Sequence, residues 1–453
     1  MATNSLEAQH RGLDVTGQNI ANVNTPGYTR RVVDLVSVPP TDNSGAGRGV
    51  AASGIRSNRD HLLDRRLEQE LPSERRDAAI AESLSVVEAS LGRPGQSIDG
   101  KLSAFFDAFA SLSENPQSAV ARHEVQLQGG ALAGAFRSMS DRFSSALRDT
   151  DTKIRGAVDE VNALAGRIAG INSTLAAAGA NGSMLDLRDQ QTQLVRQLSE
   201  LVDIGVTERS GFGGVDITFG NGRPMVIGAS AYAITASSVP PLGFAALVSG
   251  GSTVTTEITG GRLGGLLQVR DVTLPSYVDK LDTLAAQTVT EVNALHVAGF
   301  DQTGTAAGNF FAYTAPPVGV AGAAAAMVVD PAVALDATLI AAGGTAEAGD
   351  NTIARGLAAL RDARVLDGGT ASLTDYWSRL VYRVGRDSQA ASDEQQTGQQ
   401  LVRQGDALRD QVAGVSLDEE AMQLLRYQRA YEANARFFNT VSQTLDVLLQ
   451  TLQ

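Results

Sequence analysis

Four histidines are the only imidazoles in the chain: His10, His61, His123 and His296. His123-Glu124-Val125-Gln126-Leu127 opens like the helix of a zinc protease. Leu127, however, stands where the second histidine of an i, i+4 pair is needed, so the metal has no two-imidazole clamp. Gly211-Phe212-Gly213-Gly214 lacks the Lys and the Ser or Thr of a phosphate loop and precedes a strand-like run, which makes it a hairpin loop. Gly299-Phe300-Asp301-Gln302-Thr303-Gly304 approaches a calcium loop, but Thr303 occupies a position that calls for a carboxylate or amide, and a turn is the better reading. No Gly-x-Ser-x-Gly elbow exists to raise a serine nucleophile. Asp418, Glu419 and Glu420 fall at the start of a helix, where the dipole favours acids. Tyr376 and Trp377 read as core. These residues predict no catalytic site, no cofactor and no metal, and the chain is read as a non-enzyme.

Composition narrows the classes further. A chain of 453 residues exceeds one ordinary core, so two to four domains are expected. Hydrophobic residues make up 43% and charged residues 19%, a folding composition. Aromatics are only 5%, which suits long helices packed through small and aliphatic side chains. The net charge of -13 repels a phosphate backbone, and Arg30-Arg31, Arg65-Arg66 and Arg75-Arg76 are scattered, so no nucleic-acid partner is expected. The absence of cysteine removes disulfides, zinc-thiolate sites and thiol catalysis. The start Met1-Ala2-Thr3-Asn4-Ser5 has neither the basic nor the apolar region of a cleaved signal. No run approaches the roughly 20 apolar residues that cross a bilayer, so no membrane partner is expected.

The elements that would position any function lie at the two ends. Leu6, Leu13 and Ile20 recur every seven residues, with Gln9, Thr16 and Val23 between them. Pro26-Gly27 stops this helix. Residues 28–58 read as extended and loop-like, and 59–202 as helical, broken at Asn115-Pro116 and Gly179–Gly182. The period changes near 203. Val215, Ile217 and Phe219 alternate, Gly220-Asn221-Gly222 signals a hairpin, and Val254–Ile258 reads as a further strand. Helix resumes near 264, broken or kinked near Pro275, and reaches His296; it returns at 352–366 and 373–412. At the C-terminus, Leu417, Leu424, Tyr431, Phe438, Leu445 and Leu452 recur every seven residues, with Tyr427, Asn434, Val441 and Leu448 between them. Ser416 and Glu419 suggest a capping box. A seam of that length needs cover. The other chain end is the simplest partner, and neighbouring copies in an open head-to-tail array would cover the rest. The expected fold class is multidomain and mainly α, with an inserted antiparallel β domain, a helical-bundle body and terminal helices pairing as a coiled coil.

Asn19-Ile20-Ala21-Asn22-Val23-Asn24-Thr25-Pro26-Gly27-Tyr28-Thr29-Arg30 resembles the N-terminal signature of flagellar rod, hook and hook-associated proteins. Gly414–Glu420, Leu425–Gln428 and Tyr431–Ala435 resemble the C-terminal signature of the hook-associated protein 1 family, and 185–190, 261–267 and 296–301 are similar to it as well. In the motif, which also includes Thr25 and Arg30, Pro26 and Gly27 would end the helix and reverse the chain, Asn22 and Asn24 would bond backbone groups at the helix end, and Tyr28 would pack while its hydroxyl reaches a polar partner. The resemblance implies a subunit exported by the flagellar type III apparatus and built into the junction between hook and filament. Its implied partners are other copies of itself, the hook protein, the second junction protein, and an export chaperone on the C-terminal helix. It also implies one or two outer β domains, the second of which, found in larger members, 304–350 is too short to hold, and members usually carry roughly two to three more helical turns before the residues matching Ala2–Leu6. Expected divisions are 1–40 (N-terminal helix of the axial terminal domain), 41–202 (first part of the helical body), 203–262 (inserted β domain), 263–412 (second part of the body) and 413–453 (C-terminal helix). A hook or distal rod protein, a secreted hydrolase with flagellar-type ends, and an adhesin acting through 203–262 remain as alternatives.

Overall fold

The computed structural model describes residues 2–39, 49–92, 95, 97–178, 184–209, 214–240 and 243–451. In chain order the helices are α1 (Ala2–Ala21), α2 (His61–Ser90), α3 (Ile98–Glu114), α4 (Ala119–Ala178), α5 (Leu185–Leu201), α6 (Gly261–Gln268), α7 (Leu274–Val297), α8 (Ala323–Ala326), α9 (Pro331–Leu335), α10 (Thr352–Ala359), α11 (Leu373–Ala413) and α12 (Leu417–Thr451). The strands are β1 (Arg31–Ser37), β2 (Val50–Ser57), β3 (Ile204–Glu208), β4 (Val215–Phe219), β5 (Arg223–Ile227), β6 (Ser230–Ala231), β7 (Thr235–Val239), β8 (Phe244–Ser249), β9 (Ser252–Thr253), β10 (Phe311–Tyr313) and β11 (Met327–Val329).

The 60-residue α4, about 90 Å long at 1.5 Å per residue, threads two apolar cores. Its first half packs with α3, α7, α10 and the start of α11 around Phe105, Phe106, Phe109, Phe310 and Phe311. Their rings meet at tilted or edge-on angles, with Phe105 and Phe109 5.2 Å apart, the arrangement that aromatic quadrupoles favour. Tyr376 and Trp377 are buried here, as expected. The second half of α4 packs with α5, α6 and strands β4, β5 and β8. The β unit is therefore built on the helical body and shares its core. Its strands run antiparallel in two sheets, β3-β4-β5-β6 and β7-β8-β9. Gly220 and Gly222 take φ of 52° and 85° in the β4–β5 turn, which only glycine adopts freely.

Several local expectations change. The strand expected over Val254–Ile258 is a short strand at Ser252–Thr253 followed by a 3₁₀ turn at Thr255–Glu257. The Thr255 hydroxyl accepts the Leu247 backbone N–H at 2.9 Å, a bond that a continuing strand would have made. The irregularity expected at Pro275 lies one turn earlier, as a π-turn over Val269–Thr273. This turn carries Arg270 inward onto Asp151 (2.7 Å) and the Ala245 carbonyl (2.8 Å). Residues 304–350 hold the β10–β11 pair and two short helices, and α10 ends at Ala359. The expected division at 40/41 lies outside the described residues; on either side of it β1 and β2 pair antiparallel and lie against α1. Gly179–Gly182, Gly211–Gly213 and Leu452 lie outside the described residues.

Neither apolar core contains a residue before Ala79 or after Ala391. The chain ends form a separate module of α1, the β1–β2 hairpin and α12. Within it α1 runs antiparallel to α12: Gly12 lies against Tyr427, and Asn19 beside Glu420.

Candidate functional site

The buried line of α1 is Ala8, Gly12, Val15, Thr16 and Asn19. Leu6, Leu13 and Ile20, expected to make that line, sit half-buried on its flank, as does Val23 at the helix end. Side-chain bulk set the heptad expectation, but the contact is fixed by close backbone approach. A Cβ on Gly12 would stand 2.6 Å from the Tyr427 ring, so the aromatic lies directly over the α1 backbone. Beside it a cleft of about 420 Å³ opens between α1, β1 and α12, lined by Gly12, Val15, Val33, Gln423 and Tyr427.

Asn19 is the hub of the joint and is 1% exposed. Its amide donates to the Arg31 carbonyl at 2.9 Å and to Glu420 at 3.0 Å. Its oxygen accepts from the Tyr28 hydroxyl at 2.9 Å and from the Arg31 backbone N–H at 3.0 Å. Every donor and acceptor of that side chain is thereby used. Glu420, 2% exposed, also receives the Arg30 guanidinium at 2.7 Å, and Arg30 reaches Glu419 at 3.0 Å. Glu419 thus faces Arg30; among the described hydrogen bonds none joins it to Ser416 as the expected capping box requires, and such a box forms instead at Ser372 and Asp375.

The motif residues divide into two sets. Tyr28 and Arg30 enter the joint. Asn22 closes the helix end by donating to the Gln18 carbonyl at 2.9 Å and accepting from Thr25 at 3.1 Å. Gly27 turns the chain at φ 79°. Asn24, Thr25 and Pro26 are exposed. Burial raises the Tyr28 hydroxyl above its ordinary pKa, opposed by the Arg31 guanidinium 4.8 Å from the ring centroid. The hydroxyl therefore stays protonated and serves as the donor to Asn19.

A second polar layer ties the module to α5. Arg31 contacts Asp186 and, at 3.2 Å, Asp189. Asp189 also accepts from the Thr29 hydroxyl at 2.9 Å and from Arg59 at 3.0 Å. Against the desolvation of the Arg31 charge, its carboxylate partners raise its pKa further. Sequence reasoning missed Asn19, Arg31, Arg59, Asp186 and Asp189 as a set. The available signal was charge: two adjacent arginines after the motif, and two acids three residues apart in Leu185–Gln190.

Along α12, Leu424, Tyr427 and Asn434 are half-buried toward α1, while Leu417 and Tyr431 are exposed. Phe438, Val441, Leu445 and Leu448 share the face of Glu420, Tyr427 and Asn434, because their spacings are multiples of three, four and seven. Among the described residues, that face is covered only where α1 runs beside it. Past Phe437 all described residues of α12 are exposed, Phe438 at 46% and Leu445 at 54%. The uncovered stretch Phe438–Thr451 is about 21 Å long at 1.5 Å per residue.

Among the described residues no group of three or more His, Cys, Asp or Glu is placed to hold a metal ion, and no helix is long and apolar enough to cross a membrane. The geometry is that of an adhesive joint: a polar lock at one end and an open apolar stripe at the other.

Comparison with known proteins agrees with this division. A family model for the flagellar hook-associated protein FlgK helical domain matches residues 84–311, half of the chain. The two ends match models of flagellar basal body rod proteins, over residues 1–29 and, for the rod FlgEFG C-terminal model, 411–451. Flagellar hook-associated protein 1 of Bacillus subtilis (strain 168) is 27% identical over 99% of this chain and 96% of its own. The same-named protein of Escherichia coli (strain K12) is 26% identical over 99% and 98%. In fold, the chain is similar to the flagellar hook junction protein FlgK from Burkholderia pseudomallei, with a TM-score of 0.67 and 15% identity over 76% of this chain and 99% of that one. The helical body threaded by α4, flanked by rod-type ends that meet at Asn19 and Glu420, places this chain in the FlgK family of flagellar hook-associated proteins.

Proposed function

We propose that this chain is a structural subunit of the bacterial flagellum that builds the junction between hook and filament, with its paired ends forming the axial part of the assembly. The observation that carries the reading is the apolar stripe of α12: it is continuous with the face that α1 covers, yet Phe438, Val441, Leu445 and Leu448 lie open to solvent. Leaving such a stripe in water is unfavourable, at about 25 cal/mol per Å² of apolar surface, so cover comes from neighbouring subunits. Because one chain presents both the stripe and the α1 flank of Leu6, Leu13 and Ile20, copies can associate head to tail into a tube or ring. The hook protein on one side and the second junction protein on the other complete the contacts. Before assembly the same stripe needs a shield, and an export chaperone on the C-terminal helix fits that need. The subunit reaches its place by secretion through the flagellum, and its work is assembly rather than catalysis.

Deleting the chain's gene and imaging the cells by electron microscopy tests this. Hooks without filaments, with filament subunits lost to the medium, are expected. Immunogold against the chain should mark a single band at the hook's distal end. Label along the whole hook would turn the reading to a hook protein, and intact filaments in the deletion strain would overturn it.

A further inference from the structure

The module of chain ends is joined to the body through two long helices, α2 and α11, lying antiparallel. Gly405 faces Leu67 and Gly398 faces Glu74: a Cβ would stand 2.6 Å and 3.1 Å from those side chains. Between these two levels α2 contains Pro72. Proline lacks an N–H, so the Glu68 carbonyl one turn earlier loses its helical partner. The facing stretch of α11, Gly398–Gly405, has glycine at both ends, the residue least committed to helix after proline. Along α11 no residue between Ala391 and Ala413 is buried. Both struts are therefore weakened at one level, and the apolar side chains buried there, Leu67 and Leu71 of α2, belong to neither of the two cores. These are the conditions under which packed helices bend.

A third helix spans the same level. The end of α5 is fixed in the second core by Leu194, Val195, Leu198 and Leu201. Its beginning reaches the terminal module through Asp186 and Asp189, and Arg196 grips Asp406 of α11 with two hydrogen bonds of 2.8 Å. Met184 and Leu187 also pack against that core, so α5 belongs to the body along its length, and what it turns toward the terminal module and α11 is ionic.

We propose that Leu67–Glu74 with Gly398–Gly405 is a hinge about which the terminal module swings against the body, and that the α5 ion pairs at Asp189 and Arg196 are its latch. The closed latch gives the orientation described above. Opening it exchanges polar contacts for water without uncovering a core, so the module can reorient while both apolar cores stay intact. A subunit seated between two different neighbours can then fit its ends to one and its body to the other.

The absence of cysteine allows a direct test on the full chain. Spin labels at Glu160→Cys on α4 and Gln428→Cys on α12, both exposed positions, report the module's orientation by pulsed dipolar spectroscopy. With the latch intact one narrow distance population is expected. Asp189→Asn with Arg196→Gln should add a second, broader population, and Pro72→Ala on that background should shrink it. A control pair within the body, Glu124→Cys and Glu160→Cys, should not change. A narrow distribution that survives loss of the latch, a broad one already present with the latch intact, or a control pair that broadens equally would each overturn the hinge.

Discussion

Glu420, in the first turn of the C-terminal helix, accepts a hydrogen bond of 3.0 Å from Asn19 of the N-terminal helix, 401 residues earlier. The contact closes the chain on itself through a buried polar joint rather than an apolar core. Asn19→Ala removes four hydrogen bonds and leaves the Tyr28 hydroxyl and the Arg31 N–H without their partner. Orphaning buried groups costs about 1–3 kcal/mol each, so a loss of about 3 kcal/mol is expected. It should fall on the terminal module alone. Hydrogen exchange should quicken in α1 and α12 while α4 keeps its protection; equal loss in α4, or none in α1, contradicts the separate module.

Gly12 sets the approach of the two terminal helices. Gly12→Leu should separate them at a cost of about 2 kcal/mol, typical of overpacking, despite the gain in helix propensity. Tyr427→Ala on the same background should recover most of the loss. Additive losses in the double variant would mean that the ring does not lie where it is described.

His296 is fully buried and neutral. Its Nδ1–H donates to the Gly308 carbonyl at 2.7 Å, and its Nε2 accepts the Ala341 N–H at 2.9 Å. Burial pushes its pKa down to about 4 from the ordinary 6.5. Between those values the unfolded chain holds a proton that the folded chain does not. Stability therefore falls as pH drops from 6.5 to about 4, by at most about 3 kcal/mol, and levels off below. Urea midpoints at pH 4.5 and 7 should differ more in the native sequence than in His296→Asn; an unchanged difference excludes His296 as the source.

Glu68, one turn before Pro72, behaves oppositely. Burial, with Asp64 nearby, pushes its carboxyl up to about 7. From pH 4.5 to 7 the folded chain holds the proton and the unfolded chain does not, so this contribution is present at low pH and lost as pH rises through 7. Glu68→Gln should stabilise the chain at pH 8 by about 1 kcal/mol, allowing for solvent screening, and by little at pH 4.5. Equal gains at both pH values would show that volume rather than charge is responsible.

The long elements were readable because their signals are local. Periodic apolar residues give α4, α7 and α12, and Gly220-Asn221-Gly222 gives the β4–β5 turn. The pairing of the two chain ends could be expected from the C-terminal seam and from the motif around Pro26. The face by which α1 pairs could not. Gly12 and Asn19 carry no hydrophobic signal, and their importance comes from Tyr427 and Glu420, some four hundred residues away. The same holds for Asp189, whose partners Thr29 and Arg59 are distant in sequence. The β1–β2 hairpin was hidden because only one of its strands is partly buried in an alternating pattern, β2 being mostly exposed or half-buried.

The stripe Phe438–Leu448 is the feature on which the assembly reading stands, and Leu445, 54% exposed in the single chain, lies at its centre. Leu445→Asp should leave the body helical and folded, since no contact of either core is touched. The decisive measurement is electron microscopy of cells whose only copy of the chain carries Leu445→Asp. Hooks that end bare are predicted, whereas filaments of normal number and length would contradict it.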